Sequence, residues 1–192
     1  MRFGRTPDRD APDHADVALL RPRRPSDAES LGALLQRDHP RTGYPFVLPA
    51  DAAAWVSSDT DLVGFVATDP AGAIIGHVSV QAAESVDHGT GAALHEAWSA
   101  ALGRPPEECA VVSRLFVSAD HQRHGIGGRM MERAVGWIEG RGMGPCLDVL
   151  PLPDDGALRF YERLGWVRVA ELRAHWHRPG WPPLVGLVLP TT

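Results

Sequence analysis

Apolar positions fall along this chain in short runs, and each change of period marks an element. Val17 to Leu20 reads as a strand, and Ser26-Asp27-Ala28-Glu29 ahead of Leu31, Leu34 and Leu35 reads as a capping box that opens a helix. Pro40, Gly43, Pro45 and Pro49 break the stretch from Asp38 to Asp61 into a loop, with room for a short helix over Ala52 to Val56. Leu62 to Thr68 and Ala73 to Gln81 are strands joined by Asp69-Pro70-Ala71-Gly72, whose Pro and Gly suit a reverse turn. An excursion from Ala82 to Glu108 holds a helix over Ala92 to Leu102 that ends at Gly103, Pro105 and Pro106.

Ala110 to Val117 is a valine-rich strand, and after Gly125-Ile126-Gly127-Gly128 the period lengthens to that of a helix. Met131, Ala134, Val135 and Ile138 share one face of it, Arg129, Glu132, Arg133 and Gly136 the other, and Gly140, Gly142 and Gly144 end it. Cys146 to Leu150 is a strand stopped by Pro151 and Pro153. Asp154 then caps a helix carrying Ala157, Leu158, Tyr161 and Leu164, closed by Gly165. Trp166 to Leu172 and Leu184 to Leu189 are the last strands. Hairpins mixed with crossover helices predict an α+β fold, and the absence of hydrophobic periodicity over residues 1–15 predicts a solvated, disordered tail before one domain over residues 16–192.

Composition narrows the class of partner. The chain has 192 residues, of which 44% are hydrophobic and 22% charged, which is ordinary globular usage. Its 19 basic residues are all arginine, a bias of GC-rich bacterial genomes. A net charge of -5 argues against a nucleic-acid partner, and no run is apolar enough for a membrane span or a signal peptide, so the expected compartment is the cytoplasm. Cys109 and Cys146 have no metal-like spacing, and His175-x-His177 lacks a third ligand, so no metal is expected.

Candidate chemistry centres on Gln122-Arg123-His124-Gly125-Ile126-Gly127-Gly128. Glycines there let backbone N–H groups approach a ligand, and the helix starting beside them points its positive end outward, so the loop suits an anion. A tight strand-to-helix turn needs glycine too. A dinucleotide site fits worse, because Met130 takes its third glycine position and Asp148 lies within a strand. Around the loop stand Arg114-Leu115-Phe116-Val117 upstream and Ala157-Leu158-x-Phe160-Tyr161-x-x-Leu164-Gly165-Trp166 downstream. Together these resemble the GNAT superfamily of N-acetyltransferases, whose Q/R-x-x-G-x-G/A signature binds the pyrophosphate of CoA.

The resemblance implies a twisted mixed sheet of about seven strands with helices on both faces, opened between the fourth and fifth strands for CoA. It implies direct transfer of an acetyl group from acetyl-CoA, as co-substrate, to a primary amine of a small molecule or peptide. Leu115, Phe116 and Val117 would hold the pantetheine arm by their backbone. Gln122, Arg123, His124, Gly125, Ile126, Gly127 and Gly128 would hold the pyrophosphate, with Arg129 adding charge. Tyr161 would protonate the departing thiolate. Two departures stand out: Asp154 replaces the asparagine common on the last helix, and Ser113 replaces the glutamate that many relatives use as base. His77 and Glu84 are then candidates for the base, with His95 and Glu96 behind them. The missing glutamate leaves a second reading open, a CoA-binding sensor or interaction domain without turnover. A second copy of the chain is a candidate partner.

Overall fold

Runs of period two become strands here because alternate side chains enter two separate cores, and runs of period near 3.6 become helices that cover those strands. The computed structural model describes residues 18–86, 89–90, 92–151 and 156–190, so the expected tail over residues 1–15 and the Asp154 cap lie outside the described residues. Seven strands form one sheet: β1 (Leu19–Pro22), β2 (Asp61–Thr68), β3 (Ile74–Ala82), β4 (Cys109–Val117), β5 (Gly144–Val149), β6 (Val167–Leu172) and β7 (Leu184–Val188). Their spatial order is β1-β2-β3-β4-β5-β7-β6. All neighbours are antiparallel except β4 and β5, which run parallel.

Among the described residues five α-helices cover it: α1 (Ala28–Thr42), α2 (Ala52–Val56), α3 (Ala93–Leu102), α4 (Ile126–Glu139) and α5 (Ala157–Arg163). Alternation along β4 assigns them to faces. Ala110 and Val112 pack with Met130, Met131, Ala134 and Ile138 of α4, and Leu158, Phe160 and Tyr161 of α5 join that cluster. Cys109 and Val111 instead pack with Leu94 and Trp98 of α3. Leu31 and Leu35 of α1 and Ala52 and Val56 of α2 meet Val66, which lies between Phe65 and Ala67 of the α4 cluster on β2. The face carrying α1, α2 and α3 is therefore opposite the one carrying α4 and α5. Among the described residues, no helix is long and apolar enough to cross a membrane.

Two expectations about α1 need correction. The Ser26-Glu29 capping box does not form. A 3-10 turn over Pro25–Asp27 precedes the helix, and Asp27 accepts the Arg24 backbone N–H at 2.7 Å while pairing with Arg21 at 2.7 Å. The Arg21 bond and pairing hold the Asp27 carboxyl below its usual range despite its burial. Nor does the helix stop at Asp38. It runs through Pro40 to Thr42, where Gly43 in the left-handed region donates to the His39 carbonyl at 2.8 Å. A proline in the last turn removes one backbone bond. In the same stretch buried Asp38 accepts from Arg37 Nε and from the Ala119 backbone N–H, at 2.8 and 2.9 Å, which ties α1 to the segment after β4.

Candidate active site

A fork in the sheet is the main feature. β4 and β5 pair only at Cys109–Gly144, Ala110–Pro145 and Val111–Cys146, and then diverge, β4 running on to Val117 and β5 to Val149. β4 stays paired with β3 as far as Val117, so from Val112 onward its backbone groups on the β5 side meet no strand. This is the opening between fourth and fifth strands that the resemblance implies. Unpaired strand edges can accept an extended ligand by backbone hydrogen bonds.

The glycine loop lies at the tip of the β4 arm. Gln122 Nε2 donates to the Val117 carbonyl at 3.3 Å, folding the loop back on the strand. Arg123 and Gly125 take positive φ values of 67° and 76°, and Gly125, the N-cap of α4, provides no side-chain cap. Gln122, Arg123, His124 and Gly125 are exposed, buried Ile126 anchors the turn, and Gly127, Gly128 and Arg129 follow in the first turn of α4, half-buried. A Cβ on Gly127 would sit 3.5 Å from Phe160 Cζ and 3.9 Å from Val117 Cγ2, so α5 closes against the start of α4 and the tip of β4. Uncapped N–H groups at a helix start, with arginines beside them, suit a phosphate.

Leu115 and Val117 pack toward α4, and Phe116 faces the α1 side, 6.0 Å from the Tyr44 ring. Tyr161 is half-buried, edge-on to Phe160 at 5.2 Å and to Trp166 at 6.4 Å. Tyr44, from the loop between α1 and α2, has its ionisation opposed first by burial and then by the charge of Tyr161, eased by Arg114 and opposed again by Asp148. In so enclosed a place charges are weakly screened, so Tyr44 feels those of Tyr161, Arg114 and Asp148. Phe46 of the same loop meets Trp181 edge-on at 4.0 Å, so the segment between β6 and β7 closes over the α1 side of the fork.

Beside the fork lies a buried charge network that β4 bends to reach. Arg114 and Leu115 together face Val78 alone on β3, a bulge in which Arg114 takes a φ of 50°. Such a value is uncommon for a residue with a Cβ and is held by its surroundings. Arg114 bonds Asp61 at 2.6 Å, Arg23 bonds the other oxygen of Asp61 at 2.9 Å, and the Asp61 side chain is only 2% exposed. Arg114 also lies over the Trp55 ring at 5.3 Å.

The fold separates the candidate bases. His77 is fully buried within this network, its Nδ1 3.0 Å from the Arg114 carbonyl and its Nε2 3.2 Å from Arg23 Nη1. A carbonyl only accepts and a guanidinium only donates, so Nδ1 carries the proton, Nε2 accepts, and the ring is neutral. Burial, helped by the charges of Arg23 and Arg114, pushes His77 down to about 3. Its geometry is that of a clamp on the bulge, not of a base open to an acceptor. Glu84 is exposed beyond the Ala82 end of β3, where Ala82 pairs with Ala110 at the closed end of the fork. His95 holds the Val86 carbonyl at 2.8 Å, and Glu96 is exposed on α3. His177 accepts from the Ala174 N–H at 2.9 Å, and among the described residues no cluster of possible metal ligands occurs.

The state of His77 has a consequence for stability. Its folded pKa lies below the unfolded value near 6.5, so its contribution is complete above that value and is lost as pH falls toward about 3. Urea denaturation is expected to show a loss of about 2 kcal/mol from pH 7 to pH 5. The lowered carboxyls of Asp27 and Asp38 begin to titrate only below that window. Equal stability at the two pH values would rule out a buried neutral His77.

Three members of this site carried no readable signal or a misread one. Tyr44 sits in a Pro- and Gly-broken loop without periodicity, and Asp61 marked only the end of that loop. Asp148 did carry a signal, a lone carboxylate inside the apolar run Cys146 to Leu150, but in one dimension it served only to weigh the dinucleotide pattern.

Known proteins share this fold. Residues 28–166 match the sequence profile of the acetyltransferase (GNAT) family. Over 70 residues the chain is 33% identical to phosphinothricin N-acetyltransferase of Streptomyces viridochromogenes, a match that spans 36% of this chain and only 38% of that protein's length. A GNAT family N-acetyltransferase from Escherichia coli, solved in complex with CoA, superposes with a TM-score of 0.58 at 24% identity, over 94% of this chain and 86% of that one. A protein from Salmonella typhimurium, solved with its cofactor acetyl-CoA, gives a TM-score of 0.64 at 15% identity, over 91% of this chain and 94% of that one.

Proposed function

Because this chain belongs to the acetyltransferase (GNAT) family, we propose that it transfers an acetyl group from acetyl-CoA directly to a primary amine of a small molecule or peptide, in the cytoplasm of a bacterium. The observation that carries the proposal is the fork between β4 and β5 with the uncapped start of α4 at its tip. In this reading the unpaired edge of Leu115, Phe116 and Val117 binds the pantetheine arm. Gln122 to Gly128 cradle the pyrophosphate with backbone N–H groups, and Arg123 and Arg129 add charge. Backbone N–H groups near Phe116 and Val117 stabilise the oxyanion as the amine attacks the thioester carbonyl. Tyr161 protonates the sulfur as it leaves.

Acetyl-CoA at millimolar concentration is expected to raise the melting temperature, since a ligand bound by the folded state alone stabilises it by mass action. NADH is expected to cause no shift. Gly127→Glu should abolish the shift, because its side chain and charge would meet Phe160 and enter the phosphate cradle. A shift with NADH and none with acetyl-CoA would overturn the reading. Turnover is checked by thiol release from acetyl-CoA with phosphinothricin, an alanine-led peptide and a simple alkylamine as acceptors. These follow the names of phosphinothricin N-acetyltransferase and of the structurally similar ribosomal-protein-S18-alanine N-acetyltransferase. Binding without thiol release from any of them would favour the sensor reading.

A further inference from the structure

We propose that Asp148 is the group that takes the proton from the attacking amine, an assignment that rests on the acetyl-transfer reading above. An alkyl ammonium with a pKa near ~10 is almost wholly protonated at neutral pH, and only the neutral amine attacks a thioester. Ser113 cannot accept that proton, His77 is clamped, and Glu84 lies at the closed end of the fork.

Asp148 is at the open end. The last β4–β5 pair is Val111–Cys146, and Asp148 lies two positions further along β5, in the arm that has parted from β4. Side chains alternate along a strand. Cys146 packs in the α3 cluster and Leu147 in the α4 cluster, so Asp148 faces as Cys146 does, toward α1, α2 and α3. Its partner on β7 is Gly186, where a Cβ would come within 2.7 Å of Leu94 Cδ1 and 3.3 Å of Trp98 Nε1. Glycine there lets α3 close down beside the carboxylate. Asp148 itself is half-buried, open enough to pass a proton to solvent.

The two faces of the fork then divide the proton work. Tyr161 belongs to α5, with the α4 cluster, where the sulfur would leave. Asp148 looks to the opposite face, where Tyr44, Phe46 and Trp181 close the acceptor side. Of the titratable groups, Tyr44 from the α1–α2 loop and Cys146 of its own strand interact with it, and α3, which carries His95 and Glu96, packs through Leu94 and Trp98 on its β7 partner Gly186. Burial above all, with a smaller contribution from the Asp148 carboxylate, opposes ionisation of both Tyr44 and Cys146.

The balance is simple. The amine nitrogen forms a bond to the acetyl carbonyl carbon, and the carbon–sulfur bond breaks. Of the two protons the ammonium gives up, one leaves through Asp148 to solvent. The other restores the proton that Tyr161 delivers to sulfur.

The test uses the full chain, acetyl-CoA, and the three acceptors named above. Asp148→Asn is expected to keep the acetyl-CoA melting shift and to lose about 10²-fold in turnover at pH 7. Its activity should climb with pH toward the pKa of the amine, where the wild type stays level, because only free amine is then used. Asp148→Glu should recover much of the loss. Full activity of Asp148→Asn with an unchanged pH profile would overturn the assignment, as would equal losses in the Asn and Glu variants. Loss of the acetyl-CoA shift in Asp148→Asn would overturn it too, by making the residue structural. A wild type that binds acetyl-CoA and acetylates none of the acceptors would instead sink the transfer reading itself.

Discussion

Replacement of Tyr161 by phenylalanine is expected to lower turnover by about 10²-fold while leaving acetyl-CoA affinity unchanged. The ring would keep its edge contacts with Phe160 and Trp166, since these involve carbon, so α5 should stay seated against Gly127 and Val117. What is lost is one hydroxyl, which in the proposed reaction acts when the sulfur departs. Binding is read by calorimetry and chemistry by single-turnover thiol release, which separates the acetyl step from product release. Unchanged single-turnover rates would return Tyr161 to a packing role. A parallel fall in acetyl-CoA affinity would mean that the phenol binds the ligand and does not serve the leaving group.

Asp61→Asn is expected to destabilise the fold by about 3–5 kcal/mol, the usual effect of removing one partner from a buried ionic cluster. Asp61 lies between the guanidinium groups of Arg23 and Arg114, whose side chains are each 13% exposed, and its own side chain is 2% exposed. Asparagine leaves two positive charges close together in a site with little solvent to screen them. The strain of Arg114 at φ 50° is held in place by this same bond, so the bulge next to the fork should loosen with it. Urea denaturation at pH 7 measures the change. Arg41→Ala is the contrast, because the Arg41–Asp120 pair is 54% and 62% exposed and its loss should produce no resolvable change. A small effect of Asp61→Asn, equal to that of Arg41→Ala, would mean that water reaches the network.

Local pattern was sufficient for the elements and for the glycine loop. Asp69 to Gly72 make the turn between β2 and β3, with the Gly72 N–H donating to the Asp69 carbonyl at 3.0 Å, because Pro and Gly fix backbone angles wherever they stand. The glycine loop was legible for the same reason: Gly125 must adopt a φ of 76°, a demand that few other residues meet. Alternation along Cys109–Val117 likewise follows from a strand with a core on each face. Where propensity and tertiary contact disagreed, contact won. Pro40 belongs to a helix that runs on to Thr42, and in its last two turns buried Asp38 is held by Ala119 from far along the chain.

The chain's sequence by itself therefore determined the order of strands and helices and the place of the glycine loop at the start of α4, since both depend on neighbours within a few positions. Only the tertiary structure decided which groups share the fork. A parallel pair that separates after Val111 and Cys146 sets Asp148 on the open arm, and the sheet order places Arg114 against Asp61, 53 positions away. The same packing buries His77, which in one dimension looked like any histidine on a hairpin, and so removes its charge. Proton affinity depends on solvent and on charges within a few ångströms, and the sequence orders residues along the chain without fixing either.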